Sequence, residues 1–330
     1  MSDCFTEIKT LNTSPPRPLF SVSVVIPCQD AGVYLKDSVN SALTQVGEFK
    51  LSNIVVVNDH SSDKETLEIL EKISTLPNVL VVDNINPPGS GYARNVGVEH
   101  AQGDWIVFLD ADDILTPNSI EVRRLATLAY PNCGFLSGDF RLLWEDGRTS
   151  HPPFFASTPR TRAALAAAWI ENRPILLERP AKTFIDVLLL LVSATMVRRN
   201  VYQEIGGMDG SLRRAQDYNF AVRVAARSNF VFVPDVVCLY RQHANQVTRW
   251  DRSPRIDAID AFYRLLHDPA LRNHYRRIKR RIAEFYLEEA MYFRKKQLYR
   301  KAFNASANSL RLAPINYLAW RSLGASFLRR

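Results

Sequence analysis

Between residues 22 and 109, four short apolar runs alternate with segments whose apolar residues recur at helical spacing. That alternation limits what the chain can become more than any other feature. Val22–Pro27 is an apolar run stopped by proline. Tyr34, Leu35, Val39, Ala42 and Leu43 then follow at helix intervals. Ile54–Val57 is a second run, closed by Asn58-Asp59-His60-Ser61-Ser62-Asp63, with a helix expected over Thr66–Ile73. Val79–Val82, a helix from Ala93 to Ala101 and Trp105–Leu109 complete the series. Strands joined by helices at such short intervals predict an α/β fold with a mostly parallel central sheet covered on both faces. In such sheets ligands bind beyond the carboxyl ends of the strands. Two of these ends carry acidic clusters.

The alternation stops after Ala129. Phe135–Trp144 with Glu145-Asp146-Gly147 reads as a strand and hairpin turn. Residues 150–182 are rich in Pro and Arg, with a short Ala-rich helix over Ala163–Trp169. The most apolar stretch, Phe184–Val197, is expected to be a buried strand over its Leu188–Val197 part. It is too short for the about 20 apolar residues of a membrane span. Gly206-Gly207 should stop a helix near Val201, and another helix is expected through Asp217–Arg227. From about Arg252 onward the pattern is helical, with an apolar stripe through Tyr275, Ile278, Ile282, Phe285, Tyr286, Tyr292 and Phe293. Tyr299, Ala302, Ala305, Leu310 and Pro314 fit one tetratricopeptide-type unit or a plain helical hairpin equally well. The expected organisation is a flexible leader over 1–20, a ligand-binding half over 21–130, a second half over 131–250 and a basic helical extension over 251–330.

Charge sharpens the reading of that extension. The net charge is +8. Arg272–Lys301 holds eleven Lys/Arg against three Asp/Glu, a difference equal to the whole excess. A basic face of this kind suits an anionic membrane surface or polymer, or is simply a solvated helix face. Nucleic acid is not an expected partner. Four cysteines, Cys4, Cys28, Cys133 and Cys238, lie far apart without a CxxC pair, so neither a disulfide framework nor a zinc site is indicated. With no signal-like N-terminus, a cytoplasmic protein with reduced thiols is expected.

Asp110-Ala111-Asp112-Asp113 closes the fourth apolar run. Carboxylates two apart at a strand end can reach one ligand, and oxygen ligands suit Mg²⁺ or Mn²⁺. The same residues also fit a helix N-cap with acidic first-turn residues before Ile114.

Several motifs then occur in order: Ser23–Pro27, Val55–Asp63, Gly91-Tyr-Ala-Arg-Asn-Val-Gly97, Gly103–Asp113, Met196–Val201, Gly206-Gly-Met-Asp209, Gln216-Asp217 and Tyr240-Arg-Gln-His243. Together they resemble family-2 glycosyltransferases of the GT-A fold, non-processive in type, over roughly residues 21–250. The resemblance implies transfer of a sugar, with inversion, from a nucleotide-diphosphate sugar to an acceptor hydroxyl. UDP-sugars are the expected donors, and a glycan or lipid-linked molecule of cell-surface polysaccharide, lipopolysaccharide or glycolipid synthesis the expected acceptor. It further implies that Pro27 lies at the donor site and that Asp59 binds the nucleobase. Arg94 would face the donor phosphates and Asp110 the ribose or metal. Asp112 would ligate Mn²⁺ or Mg²⁺, His243 would approach the metal or diphosphate, and Asp217 would be the general base. The basic segment 272–301 would place the enzyme on the cytoplasmic membrane face.

The chain departs from the family pattern in places. Gln216 stands where an acidic residue usually precedes the base. Pro27-Cys28-Gln29-Asp30 lacks the usual aromatic, which leaves base specificity open. Gln246-Val-Thr-Arg249-Trp250 matches a mark of processive synthases, but those carry membrane spans and no span is legible here. Two rivals differ in class. A sugar-1-phosphate nucleotidyltransferase would need a Gly-rich, Arg-containing loop after the first strand, which is absent. A degenerate domain acting as a scaffold would not need to keep Asp59, Asp110, Asp112 and Asp217.

Overall fold

The computed structural model describes residues 20–244 and 255–327. Cys4, the leader up to residue 19 and the Gln246–Trp250 match lie outside the described residues. The first four apolar runs form β1 (Ser21–Cys28), β2 (Lys50–Asn58), β3 (Val79–Asp83) and β4 (Trp105–Phe108), all parallel, in the order β3-β2-β1-β4. Between them run α1 (Tyr34–Leu43), α2 (Lys64–Ile73) and α3 (Ser90–Glu99). Period two along β2 divides the two faces. Ile54 and Val56 join the core with Leu35, Val39, Ile69 and Leu70, whereas Val55 and Val57 meet Ala93 and Val96 of α3. A central strand covered on both sides is mostly apolar, as β1 is; its one fully buried polar side chain, Ser23, donates to Asn53 Oδ1 at 2.6 Å and accepts from Gly103 N–H at 2.8 Å.

The sheet continues through β5 (Ile114–Leu115), β6 (Cys133–Trp144), β7 (Ile175–Leu177), β8 (Thr195–Arg198) and β9 (Asn229–Gln242), in the order β4-β8-β6-β9-β5 with β7 also on β9. β8, β5 and β7 run against the rest. The other six strands share one direction. Helices α4 (Ser119–Ala129), α5 (Phe154–Ser157), α6 (Pro159–Ala164), α7 (Ala166–Ile170), α8 (Ala181–Asp186), α9 (Arg199–Glu204) and α10 (Gln216–Ala225) fill the connections. The expected Ala-rich helix is thus two short pieces broken at Leu165, which is fully buried.

Two expectations are corrected. The Phe184–Val197 stretch is not one strand. Its start belongs to α8, a 3₁₀ turn covers Val192–Ala194, and only Thr195–Arg198 pairs in the sheet. Phe184, Ile185, Leu189 and Leu190 are all buried, so the run is apolar because it is enclosed. Enclosure without a period does not distinguish strand from helix. The acidic residues after β4 do not cap a helix either: they enter a turn and then β5, and the next helix begins only at Ser119.

The C-terminal helices are α11 (Ile256–Leu265), α12 (Tyr275–Lys295), α13 (Tyr299–Leu312) and α14 (Tyr317–Phe327), packed in succession. α11 and α12 are continuous with the main core, whereas Leu310 of α13 and Ala319 of α14 form a separate small cluster with Leu287 of α12. Phe262 and Phe285 are fully buried and pack edge-on against Tyr218 of α10, with ring centroids 4.7 and 6.2 Å away. Ion pairs Arg227–Asp268 (2.7 Å), Arg264–Asp209 (2.8 Å) and Arg277–Asp186 tie the same helices to the sheet domain. No helix among the described residues is long and apolar enough to cross a membrane.

Candidate active site

The carboxyl ends of β1, β2 and β4 open on one side of the sheet, and residues from α3, α10 and β9 close around them. Pro27 is buried inside β1, opposite Val57. The β4 side of β1 last pairs through the Val25 carbonyl, which accepts from Leu109 N–H at 3.0 Å. Pro27 lies past that point on the same side, so its missing N–H costs no ladder bond.

Asp59, just beyond β2, is 2% exposed. It accepts from Asn84 Nδ2 at 2.6 Å and from the Gly89 N–H at 2.9 Å. The carboxylate therefore fixes the turn that leads into α3. Two further lone-pair directions remain on its oxygens. Neighbouring Asp30 plays a similar part, accepting from Ser62 and Asp63 N–H groups at 2.7 and 3.0 Å. Those bonds hold its carboxyl below the usual range.

α3 lies directly on the sheet because Gly97 has no side chain: a Cβ there would meet Val25 Cγ1 at 2.3 Å. This close seat aims Arg94 at the end of β4. Arg94 is 4% exposed, and its Nη2 donates to Asp110 Oδ1 at 2.5 Å. Next to it, Asn95 donates to the Met208 carbonyl at 2.9 Å and accepts from Met208 N–H at 3.0 Å and Tyr202 Oη at 2.6 Å. Gly206 and Gly207, with φ of +73° and +69°, make the left-handed turn that lets α9 end there. Two motifs far apart in sequence are thus one structural joint, and it leads the chain into α10.

Asp217 sits in the first turn of α10, half-buried. Its Oδ1 accepts from Tyr218 N–H at 2.8 Å, and Oδ2 has no hydrogen bond among the described residues. Burial raises its carboxyl above the usual range. The Tyr218 N–H and the Arg94 cation oppose that rise, while the Asp110 carboxylate adds to it. Gln216, the residue before Asp217, donates to Ser90 Oγ at 2.6 Å.

The other half of the acidic run meets the end of β9. Pairing of Ile114 with Leu239 brings Arg241 alongside Asp112. Arg241 donates from Nε to the Asp112 carbonyl at 2.9 Å and from Nη2 to Asp37 at 2.8 Å, with its guanidinium 4.7 Å from the Tyr34 ring centroid. His243 packs on the same ring at 4.8 Å and places Nε2 3.0 Å from Asp112 Oδ2. Burial and then Asp110 push the Asp112 carboxyl up, against the pull of His243. Asp113 is fully buried, accepting from Ser193 Oγ at 2.5 Å and Arg241 N–H at 3.0 Å. Ser193 Oγ in turn accepts from the Asp110 N–H at 3.1 Å.

So Arg94, Asp110 and Asp217 share one electrostatic neighbourhood, and Asp112 and His243 touch. Asp59 lies at the same end of the sheet, and Pro27 serves the backbone beneath. Asp113, Ser193, Arg241 and Tyr34 were not singled out from sequence. Ser193, one of the few polar residues in the apolar 184–197 stretch, was the available signal. Among the described residues no three His, Cys, Asp or Glu side chains converge as a metal cage. One carboxylate and one imidazole fit a Mg²⁺ or Mn²⁺ ion shared with substrate phosphates, which typically takes only one or two protein carboxylates.

The profile of glycosyl transferase family 2 matches residues 23–206, more than half of the chain. The chain belongs to glycosyltransferase family 2. This family 2 enzyme is 26% identical to the glycosyltransferase GlyG of Streptococcus pneumoniae over 256 residues, which is 76% of this chain and 81% of GlyG. It is 32% identical over 133 residues to the putative teichuronic acid biosynthesis glycosyltransferase TuaG of Bacillus subtilis, covering 40% of this chain and 50% of TuaG. A 102-residue match at 31% identity to the minor teichoic acid biosynthesis protein GgaB of the same organism covers 31% of this chain and 11% of GgaB. The chain thus spans half or less of these last two relatives. In fold it is similar to S. aureus TarS residues 1–349 in complex with UDP-GlcNAc, with a TM-score of 0.65 and 16% identity over 93% of this chain and 89% of that one. The architecture is the GT-A fold with added C-terminal helices.

Proposed function

We propose that this glycosyltransferase moves a sugar from a UDP-sugar to a hydroxyl of a cell-surface glycan or lipid-linked acceptor, with inversion at the anomeric carbon. The observation that carries this reading is the half-buried Asp217 carboxylate, with one oxygen unengaged, beside the Arg94–Asp110 pair. A carboxyl held above its ordinary range with an oxygen left to accept a proton is what a general base needs. The acceptor O–H gives its proton to Asp217 Oδ2 while its oxygen bonds to the anomeric carbon. The bond from that carbon to the diphosphate oxygen breaks, and UDP leaves with the electron pair. One displacement inverts the centre, and no enzyme nucleophile is used. Asp112 and His243 would hold a divalent ion jointly with the donor diphosphate. When bound, Mg²⁺ or Mn²⁺ supplies neutralisation of the leaving charge. Arg94 adds positive charge on the same side, and Asp59 keeps the wall of the nucleoside site in place.

The choice of UDP is supported by the UDP and UDP-GlcNAc complexes of the similarly folded TarS, and the acceptor class by the names of GgaB and TuaG. Calorimetric titration of UDP, GDP and dTDP with and without Mn²⁺ tests it. Metal-dependent binding of UDP, lost in Asp112→Asn, is the expected result. Failure of all three nucleotides to bind would reject the reading.

A further inference from the structure

The basic segment expected to face a membrane, residues 272–301, is partly occupied within the fold. Arg277 pairs with Asp186, and Arg280 and Arg281 pair with Glu284. Arg281 also lies over the Phe285 ring at 4.4 Å and is itself buried. A stretch without carboxylates lies further on. From residue 290 to residue 330 the sequence has nine Lys/Arg and no Asp/Glu. Lys295, Lys296, Arg300, Lys301, Arg311 and Arg321 are all exposed.

Large apolar side chains stand out at the far end of α13 from Lys295, Lys296, Arg300 and Lys301, where Arg311 and Arg321 lie. Ile315, in the turn between α13 and α14, is 97% exposed, Tyr317 is 72% and Trp320 is 55%. Leu318 is exposed beside them. The turn is held in place: Trp320 Nε1–H donates to the Pro314 carbonyl at 2.8 Å, and Ala319, fully buried, anchors the inner side of α14. An apolar tip bearing Trp and Tyr, with Arg311 at the end of α13 and Arg321 on α14 and no Asp or Glu in either helix, has the composition of a helix that lies in the headgroup layer.

We propose that the α13–α14 corner is a peripheral docking surface for an anionic bilayer, with Ile315, Tyr317, Leu318 and Trp320 entering the headgroup boundary and Arg311 and Arg321 meeting lipid phosphates. The charge selects this occupant over a second copy of the chain, because two such corners would face each other as like charges. The proposal does not depend on the identity of the donor.

The test is flotation of the full chain with phosphatidylcholine vesicles, with and without an equal part of phosphatidylglycerol. Binding is expected only to the anionic vesicles. Ile315→Ser with Tyr317→Ser should weaken it about tenfold through lost apolar insertion. Arg311→Gln with Arg321→Gln should weaken it about fivefold per charge removed, and less at high salt. Thermal unfolding of each variant checks that these exposed changes leave the fold intact, without recourse to nucleotide binding. No binding to anionic vesicles overturns the proposal. Binding unchanged by the Ile315/Tyr317 pair overturns it in favour of a plain polyanion surface. Concentration-dependent self-association that the same pair abolishes overturns it in favour of a dimer.

Discussion

Arg94 Nη2 and Asp110 Oδ1 are 2.5 Å apart, although one residue comes from a helix seated on the sheet and the other from the turn beyond β4. The arginine is almost wholly buried, and the aspartate side chain is 30% exposed. A cation held there compensates Asp110 and lowers the cost of ionising Asp217. Arg94→Met is expected to cost about 2 kcal/mol of stability, below the range for fully buried pairs because Asp110 retains some water. Chemical denaturation measures it, and turnover should fall more than donor affinity.

Asp217→Asn should reduce turnover by roughly 10²- to 10⁴-fold, the usual worth of a general base. Donor affinity should stay within about twofold, since no donor contact is assigned to that side chain. Calorimetry with UDP and steady-state rates separate the two.

The raised carboxyl of Asp217 has two pH consequences. As base it must be ionised, so kcat/KM should decline as pH falls through a midpoint above the ordinary aspartate value of about 3.9. For stability, the folded chain binds that proton more tightly than the unfolded chain. Its contribution is therefore most favourable at low pH and is lost as pH rises from the ordinary value through the raised one. At neutral pH the uncharged Asp217→Asn should then unfold at a higher temperature than the native chain while being nearly inactive. A lower melting temperature would show that ionised Asp217 is not penalised by its surroundings.

Asp112 and His243 should act together if they hold one ion. Asp112→Asn, His243→Ala and the double change should each remove most of the Mn²⁺-dependent part of UDP binding, with the double change adding little. Full additivity in the calorimeter would indicate independent roles.

Ser193→Ala removes a donor to Asp113 and an acceptor for the Asp110 N–H in one step. With one buried carboxylate left short of a partner, a loss of about 1–3 kcal/mol is expected by thermal or chemical denaturation.

Much of this was legible beforehand. β1 to β4 stand out as short apolar runs, the central ones because both their faces are covered, and the acidic residues after β2 and β4 mark the ligand end. The touching of Asp112 and His243 was not derivable from local pattern. It depends on the register of β5 with β9, set by Ile114 opposite Leu239, more than a hundred residues apart. Phe184–Val197 was misread because its apolarity comes from enclosure by several elements. No separate role for Asp113 is legible in the sequence; the packing shows that it is fully buried and accepts from Ser193 Oγ and Arg241 N–H.

The ring of Tyr218, the residue after the proposed base, rests on Phe262 of α11 and Phe285 of α12. The region that matches the family ends at residue 206, before the base and before both of its supports. A chain cut ahead of Ile256 would keep every side chain assigned to the donor and still lose the rings that hold α10 in register. With Asp217 as the proposed base, the smallest active unit is therefore expected to extend beyond the region that matches the family. Trimming the C-terminal helices should give a protein that retains nucleotide but turns over poorly, and Phe262→Ala, at about 3–5 kcal/mol, should be a milder version of the same cut.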